Sequence, residues 1–391
     1  MAIEFNRRIK EVVGSSTLAI TARAKELKAQ GCDVVNFAAG EPDFDTPETI
    51  KKAAIQAIEN GQTKYTPSIG MLPLREAIAQ KFQKDNQLTY TPKQIAVSCG
   101  AKHSLFCIIQ VLADEGDEVI IPAPHWVSYP EMVKLAGATP KYIQTTAENH
   151  FRLTADQLSE AITDRTKILI LNSPSNPTGS LYTRQELEAI ADICVKNNVY
   201  VISDEIYEKL IYTDTAYTSI ASLGKEIYDL TVTVNGVSKA YAMTGWRIGY
   251  SAGAEEIMAN IKKIQDHSTS CPSSVSQAAA LAALQEPEEK IAEMCAEFKK
   301  RRDTMMTCLD AVNQVDYIKP DGAFYMFCDF SQLGASLDVA KRIINDVNVA
   351  IIPGEGFHAP GFMRLSFATS LERIQEGTRR IAEWVQKNHS Q

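Results

Sequence analysis

The side chains best suited to chemistry lie in four short segments, each directly after a run of strand-forming residues. CGAKHS (Cys99 to Ser104) follows IAVS, NSPSNPTG (Asn172 to Gly179) follows KILIL, DEIY (Asp204 to Tyr207) follows YVIS, and NGVSK (Asn235 to Lys239) follows TVTV. Open α/β sheets bind ligands beyond the carboxyl ends of their strands, so adjacent parallel strands should bring the four segments into one crevice. Gly100 and Ala101 lead into the apparent helix HSLFCIIQVL, where free backbone N–H groups and the helix field suit a phosphate. The same residues also fit an ordinary close strand-to-helix turn. Asp204 reads either as a helix cap or, buried against a ligand, as a carboxylate that keeps a ligand nitrogen protonated. Lys239 stands among Ser238, Ala240 and Tyr241, a small and partly apolar setting. A surface lysine is one reading; an enclosed lysine has the lowered pKa that an amine nucleophile needs to form a Schiff base. Phosphate cradle, nitrogen-clamping carboxylate and imine-forming lysine together point to pyridoxal 5′-phosphate. No G-x-G-x-x-G follows a first strand and G-x-x-x-x-G-K-[ST] is absent, so nicotinamide and ordinary ATP sites fall behind.

The elements that must hold these segments are legible as crossover units. KILILNS reads as a strand from Lys167, RQELEAIADICVKNN as a helix from Arg184, and VYVISDE as the next strand from Val199. ILIL is apolar on both faces, as a sheet covered by helices on both sides requires. TPETIKKAAIQAIENG reads as a helix with Thr46 as cap, Pro47 at its first position and Gly61 beyond its end. The expectation is an α/β protein: a large domain over 48–285 with a mostly parallel sheet, then a smaller α+β domain over 286–391. In that second domain EPEEK opens a long charged helix, and KPDGAFYMFCDF and GEGFHAPGFMRLSFA read as strands. Residues 1–47 are expected to associate with the small domain and the mouth of the site.

Composition narrows the class of partner. With 391 residues, 45% apolar and 23% charged, the chain is neither disordered nor collagenous nor a coiled coil. Forty basic against 48 acidic residues give a net charge of -8 and no overall cationic surface, so nucleic acid is not an expected partner. A local anion pocket remains compatible with that charge. The apolar runs fall short of the roughly 20 residues that span a bilayer, and the start lacks the pattern of a secretory signal. Eight cysteines without a C-x-x-C pair read as thiols in a reducing cytoplasm, and no metal site is expected.

The blocks AGEPDFDTP (39–47), YTPSIGMLPLREAIA (65–79), NSPSNPTG, SDEIYE (203–208) and SKAYAMTGWRIGY (238–250) resemble those of class I aminotransferases, of the fold type I pyridoxal-phosphate superfamily. The likeness runs from about Ser15 to Trp384. It implies a seven-stranded sheet in the large domain and a pyridoxal-phosphate enzyme in which Lys239 binds the cofactor aldehyde. Lys239, once freed by substrate, then moves the proton between the substrate α carbon and the cofactor. It further implies that Asp204 pairs with the pyridine nitrogen and that Asn176 and Tyr207 partner the ring hydroxyl. Trp126 resembles the aromatic stacked on the ring, although a domain-core tryptophan fits too. Ala101, Lys102, Ser238 and Arg247 align with the phosphate-binding set beside Gly100. Tyr65 matches a residue that reaches the neighbouring subunit's phosphate, which implies a homodimer with shared sites. Arg364 in FMRLSFA looks like the arginine that takes the substrate α-carboxylate, with an ordinary strand ion pair as its alternative; Gly40, Trp126 and Asn176 lie on the same substrate side. In the bacterial aspartate branch, residues placed like Ser15, Thr17 and Lys102 receive a distal carboxylate. The resemblance therefore favours ping-pong transfer from L-aspartate to 2-oxoglutarate, giving oxaloacetate and L-glutamate. Prephenate or an aromatic substrate is the alternative, because lysine is a flexible point charge where arginine imposes a fork. Elimination or decarboxylation on the same carbanion, and a non-catalytic ligand sensor on this scaffold, are the further rivals.

Overall fold

The computed structural model describes residues 4–14 and 16–389, with the side chains of 16–19 and 389 outside the description. Its centre is a seven-stranded sheet. In spatial order the strands are Ile95–Ser98, Gly249–Ala252, Thr231–Gly236, Tyr200–Asp204, Thr166–Asn172, Glu118–Ala123 and Thr139–Gln144. All pairings are parallel except the two made by Gly249–Ala252. That inserted strand corrects one expectation: Ile95–Ser98 is not adjacent to the other three site-bearing strands. It nevertheless runs in the same direction as Thr231–Gly236, because two antiparallel pairings in succession restore the sense. The four polar segments therefore still emerge at one edge.

Ile168 to Leu171 are all buried, consistent with helices on both faces. The helix Arg184–Lys196 opens with a reciprocal capping box between Thr183 and Glu186. The helix Glu48–Glu59 starts one residue later than the sequence suggests, with Pro47 at the cap. Thr46 does not cap it: its hydroxyl donates to the Ala242 carbonyl and accepts from the Trp246 indole.

The smaller unit is a four-stranded antiparallel sheet in the order Ile352–Pro353, Phe362–Ser366, Tyr325–Asp329, Asp316–Ile318. Of the stretch GEGFHAPGFMRLSFA only Phe362–Ser366 is strand, since Gly354–Phe357 winds into a 3₁₀ turn. The long helices Glu288–Leu309 and Leu371–His389 pack against each other over this sheet. Val35–Asn36 pairs in parallel with Val349–Ala350, and Val35 and Phe37 are buried in the same cluster as Phe298, Leu365 and Trp384. Among the described residues no helix is long and apolar enough to cross a membrane.

Behind the strand ends lies a buried polar network. Lys81, from the helix Leu72–Asn86, pairs with Glu208 and donates to Asn86 Oδ1 at 2.7 Å. Glu208 also accepts from Asn86 Nδ2 and Asn235 Nδ2, both at 2.7 Å. Burial opposes the charge on Glu208, but Lys81 and Asn86 outweigh it and hold the carboxyl below its ordinary range. One carboxylate thus bolts the turn after Asp204 to the strand that leads to Lys239. Truncating a single partner strands a buried charge, so Lys81→Met should lower stability by about 3–5 kcal/mol. The double variant Lys81→Met with Glu208→Leu should recover much of that loss, read from urea unfolding followed by circular dichroism.

Candidate active site

Beyond the sheet edge the two units enclose a cavity of about 410 Å³. Lys239 enters it three residues after the strand Thr231–Gly236, with Nζ donating to the Gly40 carbonyl at 2.6 Å. The side chain keeps one face open to the cavity, yet its amine is desolvated, which lowers its pKa to about 8. Glu41 opposes that shift, and Arg364 and Arg247 add to it. Asp204 ends the central strand Tyr200–Asp204 and is only 4% exposed. Burial raises its pKa to about 6, although the Tyr129 hydroxyl donates to Oδ2 at 2.7 Å and the Ile206 N–H lies 3.4 Å from Oδ1. Asn172 donates to the Asp204 carbonyl at 2.9 Å and accepts from the Asn176 N–H at 2.8 Å, fixing the loop.

At one wall Arg364 reaches in from the strand Phe362–Ser366. Its Nη1 donates to Asn176 Oδ1 at 3.0 Å and its Nη2 to the Ala38 carbonyl at 3.3 Å. Its Nε is buried without a hydrogen-bond partner among the described residues. A planar donor held this way, with one bond given for each two-hydrogen Nη, is suited to an incoming carboxylate. At the other wall Ala101 begins the helix Ala101–Leu112 from Gly100, whose φ of 91° lies in the left-handed region that favours glycine. Space there is tight: a Cβ on Gly249 would stand 2.1 Å from the Ala101 nitrogen. Arg247 lies against Gly100 and hydrogen-bonds the carbonyls of Thr244 at 2.7 Å and Cys99 at 3.5 Å. Lys102 sits 4.8 Å over the Trp126 ring, with its pKa lowered by burial and then by Arg247. Two cations and a helix N-terminus together make an anion-binding wall.

A profile of the family "Aminotransferase class I and II" matches residues 32–381. The aspartate aminotransferase of Bacillus sp. (strain YM-2) is 50% identical over 97% of this chain and 98% of its own. A probable aspartate/prephenate aminotransferase of Aquifex aeolicus is 46% identical over 97% of this chain and 98% of its own. The chain belongs to the class I and II aminotransferases. Among solved structures, the aspartate aminotransferase from Thermus thermophilus with maleate superposes with a TM-score of 0.94 at 42% identity, covering 98% of this chain and 100% of that one. The enzyme is thus a fold type I pyridoxal-phosphate-dependent aminotransferase in the aspartate aminotransferase branch.

The residues of the aminotransferase fit that cofactor chemically. The cavity offers an amine with a depressed pKa, a buried carboxylate that has no cationic partner at hydrogen-bond distance among the described residues, and a cationic helix N-terminus for a phosphate. Of the residues singled out from sequence, Gly40, Ala101, Lys102, Trp126, Asn176, Asp204, Tyr207, Ser238, Lys239, Arg247 and Arg364 line it, and Gly100 adjoins it at Arg247. Tyr65 is not brought to it by this chain and is 90% exposed. Ser15 and the Thr17 side chain lie outside the described residues. Sequence reasoning missed Tyr129, the hydrogen-bond donor to Asp204, and Tyr325, whose hydroxyl is 3.0 Å from that of Tyr207. The only hint for Tyr129 was its place three residues after Trp126, beyond the same strand. The depressed lysine predicts a pH dependence for the cofactor-free protein. Reductive trapping of Lys239 by a small aldehyde should rise with pH to a midpoint near 8, where the amine is half deprotonated. Mass spectrometry of the labelled peptide would read it, with surface lysines as the internal reference, trapped only at higher pH.

Proposed function

We propose that this aminotransferase moves the amino group of L-aspartate to 2-oxoglutarate, producing oxaloacetate and L-glutamate in two half-reactions. The observation that carries the reading is Arg364: a buried guanidinium, oriented by Asn176 and the Ala38 carbonyl, in the same cavity as Lys239. Arg364 would bind the α-carboxylate, with Asn176 and the Ala38 carbonyl holding its plane. Lys102, across the cavity beside Trp126, supplies a second positive charge for a distal carboxylate, with Ser15 and Thr17 proposed to assist. The named relatives favour dicarboxylate chemistry, and one of them is described with maleate, a four-carbon dicarboxylate.

When bound, pyridoxal 5′-phosphate supplies the aldehyde that accepts the amino group and a ring that withdraws electrons from the α carbon. Lys239 would hold the cofactor covalently at rest and, once released, take the proton from the substrate α carbon with its free amine; the lowered pKa keeps part of it unprotonated near neutrality. Asp204, kept in place by Tyr129, would pair with the ring nitrogen. Asn176 and Tyr207 would contact the ring hydroxyl, Trp126 would stack on the ring, and Gly100, Ala101, Lys102, Ser238 and Arg247 would cradle the phosphate.

We further assign residues 48–285 to the cofactor domain and 286–391 to the small domain, with 1–47 joining the latter at the site mouth. Ile55, Ile58, Tyr65 and Leu72 are large apolar or aromatic side chains left exposed on and beside neighbouring helices. A second copy covering them would make a cytoplasmic homodimer, in which Tyr65 reaches the partner's phosphate. A second substrate reading, prephenate or an aromatic amino acid, draws on Lys102 being a flexible point charge and on relatives named aspartate/prephenate aminotransferases.

Adding L-aspartate to the holoenzyme should convert its resting absorption band to the shorter-wavelength amine form, and 2-oxoglutarate should reverse it with release of glutamate. An unchanged spectrum with aspartate, but conversion by glutamate and reversal by prephenate, would select the second reading. Arg364→Leu should cut kcat/KM by about 10²–10³-fold, the loss of a bidentate charged contact. Lys102→Ala should lower kcat/KM for aspartate at least about tenfold more than for phenylalanine, isolating the distal carboxylate.

A further inference from the structure

Tyr325 is the first residue of the strand Tyr325–Asp329 and is 1% exposed. In the antiparallel register Arg364 stands opposite Phe327, so Tyr325 is its diagonal neighbour on the same face. The guanidinium carbon lies 4.2 Å from the centre of the Tyr325 ring. At its other end the Tyr325 hydroxyl is 3.0 Å from the hydroxyl of Tyr207, which belongs to the turn after Asp204 in the other unit. One tyrosine thus touches both the residue assigned to the substrate carboxylate and the residue assigned to the cofactor ring oxygen.

We propose that Tyr325 is a positioning residue that donates its hydroxyl hydrogen to Tyr207 and couples carboxylate binding at Arg364 to the basicity of the nitrogen at Lys239. The proposal rests on the reading above for Tyr207 and Arg364. A phenol has a single O–H. Once Tyr207 spends its hydrogen on the ring oxygen, only its lone pairs remain for Tyr325, and Tyr325 must be the donor. The chain Tyr325 to Tyr207 to ring oxygen is cooperative, each donor strengthening the next. Arg364 over the ring withdraws charge from the Tyr325 phenol and partly offsets the upward push of burial on its pKa, making it the better donor. The charges facing the group are otherwise Arg364 and Asp204 toward Tyr207, Glu41 toward Tyr325, and Glu41, Arg364, Arg247 and Asp204 toward Lys239.

A carboxylate arriving on Arg364 neutralises that cation and weakens the whole chain of donors. The ring oxygen then holds more negative charge and shares the proton of the adjacent nitrogen more strongly. The nitrogen at Lys239 becomes a stronger base when substrate is bound, which is when a proton is needed there.

The test is a pH titration of the absorption of the holoenzyme chromophore at Lys239, with and without maleate as an unreactive dicarboxylate. It compares the native enzyme, Tyr325→Phe, Tyr207→Phe and the double variant. Phenylalanine keeps the ring beneath Arg364, so maleate affinity should stay within about twofold. Tyr325→Phe should move the midpoint up by about half a pH unit or more and shrink the maleate-induced rise. Tyr207→Phe should move it further, and the double variant should match Tyr207→Phe alone. A native midpoint and native maleate response in Tyr325→Phe, or additive shifts in the double variant, would overturn the coupling while leaving the assignment of Tyr207 intact. An unmoved midpoint in Tyr207→Phe would instead overturn that assignment and the proposal with it.

Discussion

Holding an amine and a carboxylate out of water in one cleft is the constraint on which the rest of this structure depends. Desolvation disfavours the charged form of each group, pulling Lys239 down to about 8 and pushing Asp204 up to about 6. Neither value could be reached at the surface, where water would restore both charges. The sheet makes it possible because its central strands end inside the protein, beneath the second unit, and not in solvent. Asp204 is the final residue of such a strand, and the hydroxyl of Tyr129 is the donor that keeps its carboxylate from drifting.

Groups placed this way need rigid neighbours, because a buried charge that shifts loses its partners at once. The bolt formed by Lys81, Glu208 and Asn235 answers that need from behind, and Asn172 answers it from the side. Arg364 has the same need. It comes from a different sheet and meets the large unit at the cavity through Asn176, while the Ala38 carbonyl and the Tyr325 ring on its own side hold the guanidinium in place.

The arrangement also explains why tyrosines recur around the site. A phenol can donate a hydrogen bond deep in the protein without carrying charge, so it directs a carboxylate or another phenol at little desolvation cost. Tyr129, Tyr207 and Tyr325 all sit where a lysine or arginine would add a further unpaired cation next to Lys239.

What the sequence by itself determined was the set of strand ends. Runs such as ILIL and TVTV are apolar enough to be buried on both faces, and the polar residues that follow them, Asp204 and Lys239, had to fall at the sheet edge. Local pattern placed those residues within a residue or two, and resemblance supplied Arg364 and Arg247. Local pattern could not place the strand Gly249–Ala252 between Ile95–Ser98 and Thr231–Gly236, nor read GEGF as a 3₁₀ turn, because strand order and loop winding follow from contacts between distant segments. The same limit hid Tyr129 and Tyr325. Each is an ordinary aromatic by spacing, and each acquires its partner only when a strand, a loop or a second sheet is folded against it. Which side chains could do chemistry was written in the chain; which hydroxyl meets which carboxylate was decided by tertiary packing, because a hydrogen bond of 3 Å depends on register and crossing angle and not on residue type.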